Sequence, residues 1–226
     1  MSERPLVSGF MPAYNAEEFL VEAVGSMLAQ DYTPFECVVV DDGSTDSTPE
    51  ILGRYPQLKV VRQDNTGRSG ACNTAIAHTH GEFLTAFDAD DRYPANRISL
   101  QAQYLIDNPD VGCVLGRQEW INPPAWLGRD PVFGDLDGIP IGSGMFRRDV
   151  VERLGLYDPS FLHGEDMDLM VRMREQGIRF EILPEVIWYR RYHDGQMTAN
   201  APQVPPLLRS IRAKLERQRA AAGDPS

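Results

Sequence analysis

The sequence predicts an α/β protein of one domain, with a doubly wound, mostly parallel sheet flanked by helices. In the first half of the chain, short apolar runs rich in β-branched residues alternate with segments whose apolar residues recur at helical spacing. The polar residues that follow those runs are turn formers and aspartates, gathered where the strands of such a sheet meet their ligands. With 226 residues, 42% of them apolar, the chain has enough material for one sizeable core.

Leu6–Met11 is the first expected strand. Asn15 and Glu18 form a capping box for a helix running to about Gln30, with Phe19, Leu20, Ala23, Val24, Met27 and Leu28 on one face. Phe35–Val40 has the continuous apolar character of a strand covered on both faces. The turn Asp41-Asp42-Gly43-Ser44 leads to a short helix over Pro49–Tyr55. Strand Leu58–Arg62, helix Ser69–His80 and strand Glu82–Phe87 follow, then helix Arg97–Asn108 and strand Val111–Gly116.

Residues 117–140 carry Pro123, Pro124, Pro131 and Pro140 and read as one long loop. Ile141–Phe146 is expected as a strand, Asp149–Leu154 as a short helix, and Glu165–Gln176 as a helix closed by Gly177. Two more strands are expected at Phe180–Leu183 and Val186–Tyr192. The division is a domain over 1–206, in halves 1–116 and 117–206, followed by a tail over 207–226. That tail has five basic residues against two acidic ones, with Leu207, Leu208, Ile211 and Leu215 at helical spacing. It reads as a basic amphipathic helix packed on an acidic body, leaving a peripheral membrane contact as the alternative.

Lys+Arg 22 against Asp+Glu 33 gives a net charge of -11, which argues against nucleic acid as a partner. Cys37, Cys72 and Cys113 form no CxxC pair and leave one thiol over in any disulfide scheme, as in a reducing compartment. No signal peptide and no run of about 18 apolar residues is present, so the expectation is a cytoplasmic protein without a transmembrane segment.

Chemistry concentrates at the strand ends. Pro12-Ala13-Tyr14-Asn15 follows the first strand, Asp41-Asp42-Gly43-Ser44 the second, and Asp88-Ala89-Asp90-Asp91 the fourth. Crowded carboxylates repel unless a cation sits among them, and oxygen ligands suit Mg²⁺ or Mn²⁺ shared with a diphosphate. Turn and cap duty accounts equally well for Asp-Asp-Gly-Ser alone. Two such clusters directly after apolar strands are harder to explain that way. Asn65, Gly70 and Asn73, around a helix start, form a second polar segment suited to an anion. Glu165 and Asp166 open a later helix, and His193 trails an aromatic strand toward the metal candidates.

Seven segments, in order over residues 5–195, resemble glycosyltransferase family 2, which has the Rossmann-like GT-A fold. They are Met11-Pro-Ala-Tyr-Asn, Val38-Val-Val-Asp-Asp-Gly-Ser-Thr-Asp, Asn65-Thr-Gly-Arg-Ser-Gly-Ala-Cys-Asn, Phe87-Asp-Ala-Asp-Asp, Gly142-Ser-Gly-Met-Phe-Arg-Arg, Gly164-Glu-Asp-Met-Asp and Tyr189-Arg-Arg-Tyr-His. The resemblance implies a nucleoside-diphosphate-sugar donor, a UDP-sugar foremost, and an unidentified hydroxyl acceptor. Tyr14 and Asp42 would contact base and ribose, with Pro12 and Asn15 shaping that pocket. Asp88 and Asp90 would be the Asp-x-Asp pair, Asp90 the direct ligand of Mn²⁺ or Mg²⁺, Asp91 its understudy and His193 a further ligand. Asp166 would be the base of a single, inverting displacement. Acceptor contacts would come from Trp120, Trp126, Gly144, Arg147 and Glu165. Two other readings stand beside this one, a catalytically silent nucleotide-sugar-binding or scaffold subunit and a nucleotidyltransferase. The latter lacks a basic loop near the first strand.

Overall fold

A computed structural model describes residues 4–123, 141–155, 157–161 and 165–193. Seven strands form one sheet in the order β3-β2-β1-β4-β6-β5-β7. They are β1 (Val7–Ala13), β2 (Phe35–Asp41), β3 (Lys59–Arg62), β4 (Phe83–Ala86), β5 (Cys113–Ile121), β6 (Met145–Arg147) and β7 (Phe180–Arg191). Every pairing is parallel except those of β6, which runs against both β4 and β5. The chain winds outward from β1 through β2 to β3 and then crosses back to β4. The switch between β1 and β4 therefore opens a crevice beyond their carboxyl ends.

Among the described residues six helices cover the two faces: α1 (Leu20–Leu28), α2 (Thr48–Leu52), α3 (Gly67–Ala77), α4 (Arg97–Asp107), α5 (Arg148–Leu154) and α6 (Glu165–Glu175). Alternation along β1 sends Val7, Met11 and Ala13 to the face under α1, α2 and α4, and Phe10 to the face under α3, α5 and α6. Burial outweighs local propensity in α1. Gly25 costs its helix about 1 kcal/mol relative to alanine. Leu20, Val24 and Met27 are fully buried and contribute roughly 1.5–3 kcal/mol each.

Several expected boundaries move. No capping box forms, because Asn15 takes a left-handed conformation (φ 47) and is spent on the β2–α2 loop. Its backbone N–H donates to Ser44 Oγ (3.0 Å) and its Oδ1 accepts from the Thr45 N–H (2.9 Å). Helix α1 starts later, at Leu20. Strand β5 continues to Ile121, so Trp120 lies on a strand where a loop was expected. The expected strand Ile141–Phe146 is a 3₁₀ turn over Ile141–Ser143 followed by β6. The two last expected strands are one, β7, whose register against β5 shifts on both sides of Arg117. Residues 124–140 and the tail 207–226 lie outside the described residues, and with them Trp126 and the expected amphipathic helix.

Candidate active site

The carboxyl ends of β1, β2 and β4 carry the rim. At the end of β2, Asp41 folds back, its Oδ1 accepting from the Ser44 N–H (2.9 Å). Gly43 completes this turn at φ +79, a conformation that L side chains rarely adopt, and a Cβ there would press within 2.9 Å of the Asn65 nitrogen. Asp42 is buried (3% exposed) and caps α3 from across the crevice. Its Oδ1 accepts from the Thr66 N–H (2.9 Å) and Gln63 Nε2 (2.7 Å), and its Oδ2 from the Gly67 N–H (2.9 Å). A carboxylate on the first N–H groups of a helix is favoured by hydrogen bonding and by the helix dipole. Gly70 leaves room for Thr66 to close over the cap, since a Cβ at Gly70 would sit 2.7 Å from Thr66 Cβ. Tyr14 stands at the mouth of the crevice, half exposed.

Beyond β4 the three aspartates separate in role. Asp91 is buried, its Oδ2 accepting from Trp188 Nε1 (2.6 Å) and its Oδ1 from the Arg191 N–H (2.7 Å). Both of its oxygens are tied into β7. Burial, aided by the charges of Asp88 and Asp90, pushes its carboxyl up to about 8. Asp90 faces the crevice with Oδ2 3.0 Å from His193 Nε2, and the imidazole rests against the Phe19 ring at 4.8 Å between centroids. Asp88 Oδ1 accepts from Arg68 Nη2 (2.9 Å).

Arg97 anchors this aspartate segment from below. Its fully buried guanidinium donates to Thr85 Oγ1 (2.8 Å) and stacks over Phe87 and Tyr93, at 4.7 and 4.5 Å from the ring centroids. Tyr93 Oη in turn accepts the Asp88 N–H (2.7 Å). Burial holds Arg97 below the usual arginine range.

Arg68, in the first turn of α3, joins the two ends of the site. Besides Asp88 it donates through Nη1 to Glu165 Oε1 (2.7 Å), and Nη1 lies 3.6 Å from Asp166 Oδ1. One guanidinium thus gathers carboxylates from the end of β4 and the start of α6. Asp166 Oδ1 is sealed from water without a hydrogen bond, while 35% of the side chain stays open to the rim. Burial raises the Asp166 carboxyl to about 6; Arg68 opposes the rise, and Glu165 and Asp88 add to it. Helix α6 is locked from its far side by Arg172, which donates to Asp168 Oδ2 (2.8 Å) and to the carbonyls of Leu154 and Gly155.

The sequence model described as Glycosyl transferase family 2 matches residues 8–155. The chain belongs to this family. An uncharacterized glycosyltransferase of Rickettsia typhi is 30% identical over 215 residues, covering 87% of this chain and 67% of that one. The crystal structure of S. aureus TarS 1-349 in complex with UDP-GlcNAc superposes with a TM-score of 0.77 at 24% identity, over 92% of this chain and 64% of TarS. The mannosyltransferase PcManGT from Pyrobaculum calidifontis, in complex with GDP-Man and Mn²⁺, superposes with a TM-score of 0.70 at 22% identity, over 100% of this chain and 77% of that one. These two likenesses show a shared fold. The chain thus spans about two thirds of the Rickettsia protein and of TarS 1-349.

Within this family 2 domain, Tyr14, Asn15, Asp42, Asn65, Asp88, Asp90, Glu165, Asp166 and His193 all lie along the carboxyl-end rim or on the loops that close it. Pro12, the penultimate residue of β1 and paired in register with Val40, lies at the carboxyl end of that strand and stays with the rim. Three expected contacts, Asn73, Gly144 and Arg147, are spent on the fold. Asn73 exchanges hydrogen bonds with the backbone of Tyr157 (2.8 and 2.9 Å), which uses both ends of its amide. Gly144 is buried, its carbonyl accepting from Thr85 Oγ1 (2.9 Å). Arg147 is a correction: β6 runs antiparallel, so Arg147 pairs with Phe83 at the opposite end of β4 from the aspartates. There it donates to the carbonyls of Val111 (2.8 Å) and Leu105 (2.6 Å).

Arg97 and Arg190 were not singled out from the sequence, and Arg68 was read only as one member of the polar segment at the start of α3. Arg68 had a readable signal, a cation in the first turn of a helix where the dipole disfavours it, which asks for a nearby anion.

Proposed function

We propose that this domain transfers a sugar from a nucleoside-diphosphate sugar to an acceptor hydroxyl by a single, inverting displacement. The observation that carries the reading is Arg68, which brings Asp88 of the aspartate segment and Asp166 of α6 to one rim. Tyr14 and the Asp42 loop line the part of the crevice that would take the nucleoside. Two solved structures of the same fold support a nucleotide-sugar donor, TarS being seen with UDP-GlcNAc and PcManGT with GDP-Man.

Asp90 Oδ2 and His193 Nε2 would hold a divalent cation. Among the described residues no third His, Cys, Asp or Glu converges on them. Such a pair fits a cation that takes its remaining ligands from a diphosphate, and an O/N donor set suits Mn²⁺ or Mg²⁺. When bound, the ion neutralises charge on the departing nucleoside diphosphate.

Asp166 takes the proton of the acceptor hydroxyl as that oxygen attacks the anomeric carbon from the face opposite the leaving group. With its carboxyl at about 6, it is ionised at neutral pH yet basic enough to be useful.

Thermal shift with UDP, GDP, dTDP and CDP, each with and without Mn²⁺, tests the site. One nucleotide should stabilise the protein in a metal-dependent way, and Asp90→Ala should abolish the metal dependence. Asp166→Asn should keep nucleotide binding and lose at least 100-fold in donor turnover. A folded Asp166→Asn variant that turns over like the parent would overturn the base assignment.

A further inference from the structure

We infer that Arg190, set against the indoles of Trp120 and Trp188, is a receptor for an oxyanion, a phosphate or carboxylate group carried by a substrate of the proposed transfer. The inference rests on that functional reading for its ligand and on separate geometry for its site. The Arg190 guanidinium carbon lies 4.8 Å from the Trp120 ring centroid and 5.5 Å from that of Trp188. Among the described residues the guanidinium has no hydrogen bond and no ion pair.

That idleness stands out against its neighbours. Arg191 donates to the Asp90 carbonyl (3.0 Å) and pairs with Glu22, while Arg68 binds two carboxylates. Among the described residues no acidic side chain lies within ion-pair distance of this arginine, which stands beside the active-site rim against two indoles.

Trp188 is buried, pinned through Nε1 to Asp91 and backed by Gly142, where a Cβ would come within 3.0 Å of the indole. Trp120 pairs with Arg190 in the β5–β7 register. Among the described residues its indole N–H, sealed from solvent, has no acceptor. Stacking on aromatic faces leaves the in-plane N–H donors of a guanidinium free for a planar or tetrahedral oxyanion, and partial desolvation strengthens that pairing. The site also sits close enough to the proposed base for the Arg190 charge to lower the Asp166 carboxyl.

The oxyanion has two sources, the diphosphate of the donor or an acidic group on the acceptor. Intrinsic tryptophan fluorescence of the full chain, titrated with inorganic phosphate, reads the site directly. Binding next to two of the three tryptophans should give a saturable change in the parent protein. Arg190→Gln should weaken it at least tenfold, Arg190→Lys should restore part of it, and Trp120→Phe should weaken it severalfold. If the donor is the source, Arg190→Gln also weakens the nucleoside diphosphate at least tenfold while leaving the parent nucleoside unchanged, and saturating nucleotide with Mn²⁺ displaces phosphate. If the acceptor is the source, nucleotide affinity is unchanged and phosphate still binds the nucleotide-saturated protein.

A folded Arg190→Gln variant, judged by near-ultraviolet circular dichroism, that binds phosphate and nucleoside diphosphate within twofold of the parent would overturn the inference. So would a parent protein that shows no saturable phosphate response. Failure of the transferase reading looks different: nucleotides then bind without regard to Asp90, whatever phosphate does at Arg190.

Discussion

Replacing Arg68 by methionine keeps most of the side-chain volume and removes the guanidinium that Asp88, Glu165 and Asp166 share. The Arg68–Asp166 separation of 3.6 Å corresponds to ~4.6 kcal/mol at an effective dielectric of 20 and ~1.2 kcal/mol in bulk water. With 35% of the Asp166 side chain exposed, solvent screening pulls the value toward the lower end, and ~1–3 kcal/mol is a reasonable span. That is roughly 1–2 pH units. Arg68 lowers the Asp166 carboxyl, so its loss moves that group upward from about 6. A base acts in its ionised form, so activity is lost as pH falls through its carboxyl value. The acid limb of donor turnover should therefore rise from about pH 6 to about 7–8 in Arg68→Met.

Stability gives an independent reading. Arg68 and Glu165 are 15% and 7% exposed at the side chain, and breaking such a buried pair costs about 3–5 kcal/mol. Asp166, already raised by burial, rises further without this cation. Its protonated form is tolerated at low pH, and stability is lost as pH rises toward the folded value. The melting-temperature gap between variant and parent should accordingly be smaller at pH 5 than at pH 8. An acid limb that stays near pH 6 in a folded variant refutes the claim that Arg68 sets the base.

Asp42→Ala removes the acceptor for the Thr66 and Gly67 N–H groups; loss of such a cap costs about 0.5–2 kcal/mol, readable in urea denaturation, with the slope unchanged. Gly81→Ala would place a Cβ 2.6 Å from the Leu6 carbonyl oxygen and 2.7 Å from the Ser8 nitrogen, both backbone. Overpacking there should cost about 1–3 kcal/mol, checked by thermal melting. Burial pushes the Cys37 and Cys72 thiols up to about 12 and Cys113 well above its usual range. Ellman's reagent should therefore find no fast-reacting thiol among these three in the native protein and all three after denaturation.

Local signals carried most of the architecture. The β-branched run Phe35–Val40 reads as a covered strand because a strand buried on both faces has no polar alternation to maintain, and β2 lies between β1 and β3. The aspartates after β2 and β4 were legible as a rim because parallel strands bring their carboxyl ends to one edge. Glu165 and Asp166 were legible as the start of a helix closed at Gly177, which takes φ +63.

What sequence could not decide is direction and pairing. Gly142–Arg148 gives no local sign of whether its strand runs with or against its neighbours. That single reversal sends Arg147 to the far end of β4. Asn15 had the residue type for a helix cap, but the loop after β2 competes for the same side chain and wins with hydrogen bonds to Ser44 and Thr45. Asp88, Asp90 and Asp91 are nearly contiguous, and their different surroundings come from partners 20 to 103 positions away: Arg68, His193 and Trp188. Residue type and spacing settle where carboxylates gather along a chain. Which of them is held by an arginine, which pairs with an imidazole and which is buried under an indole depends on distances that exist only once the sheet has closed.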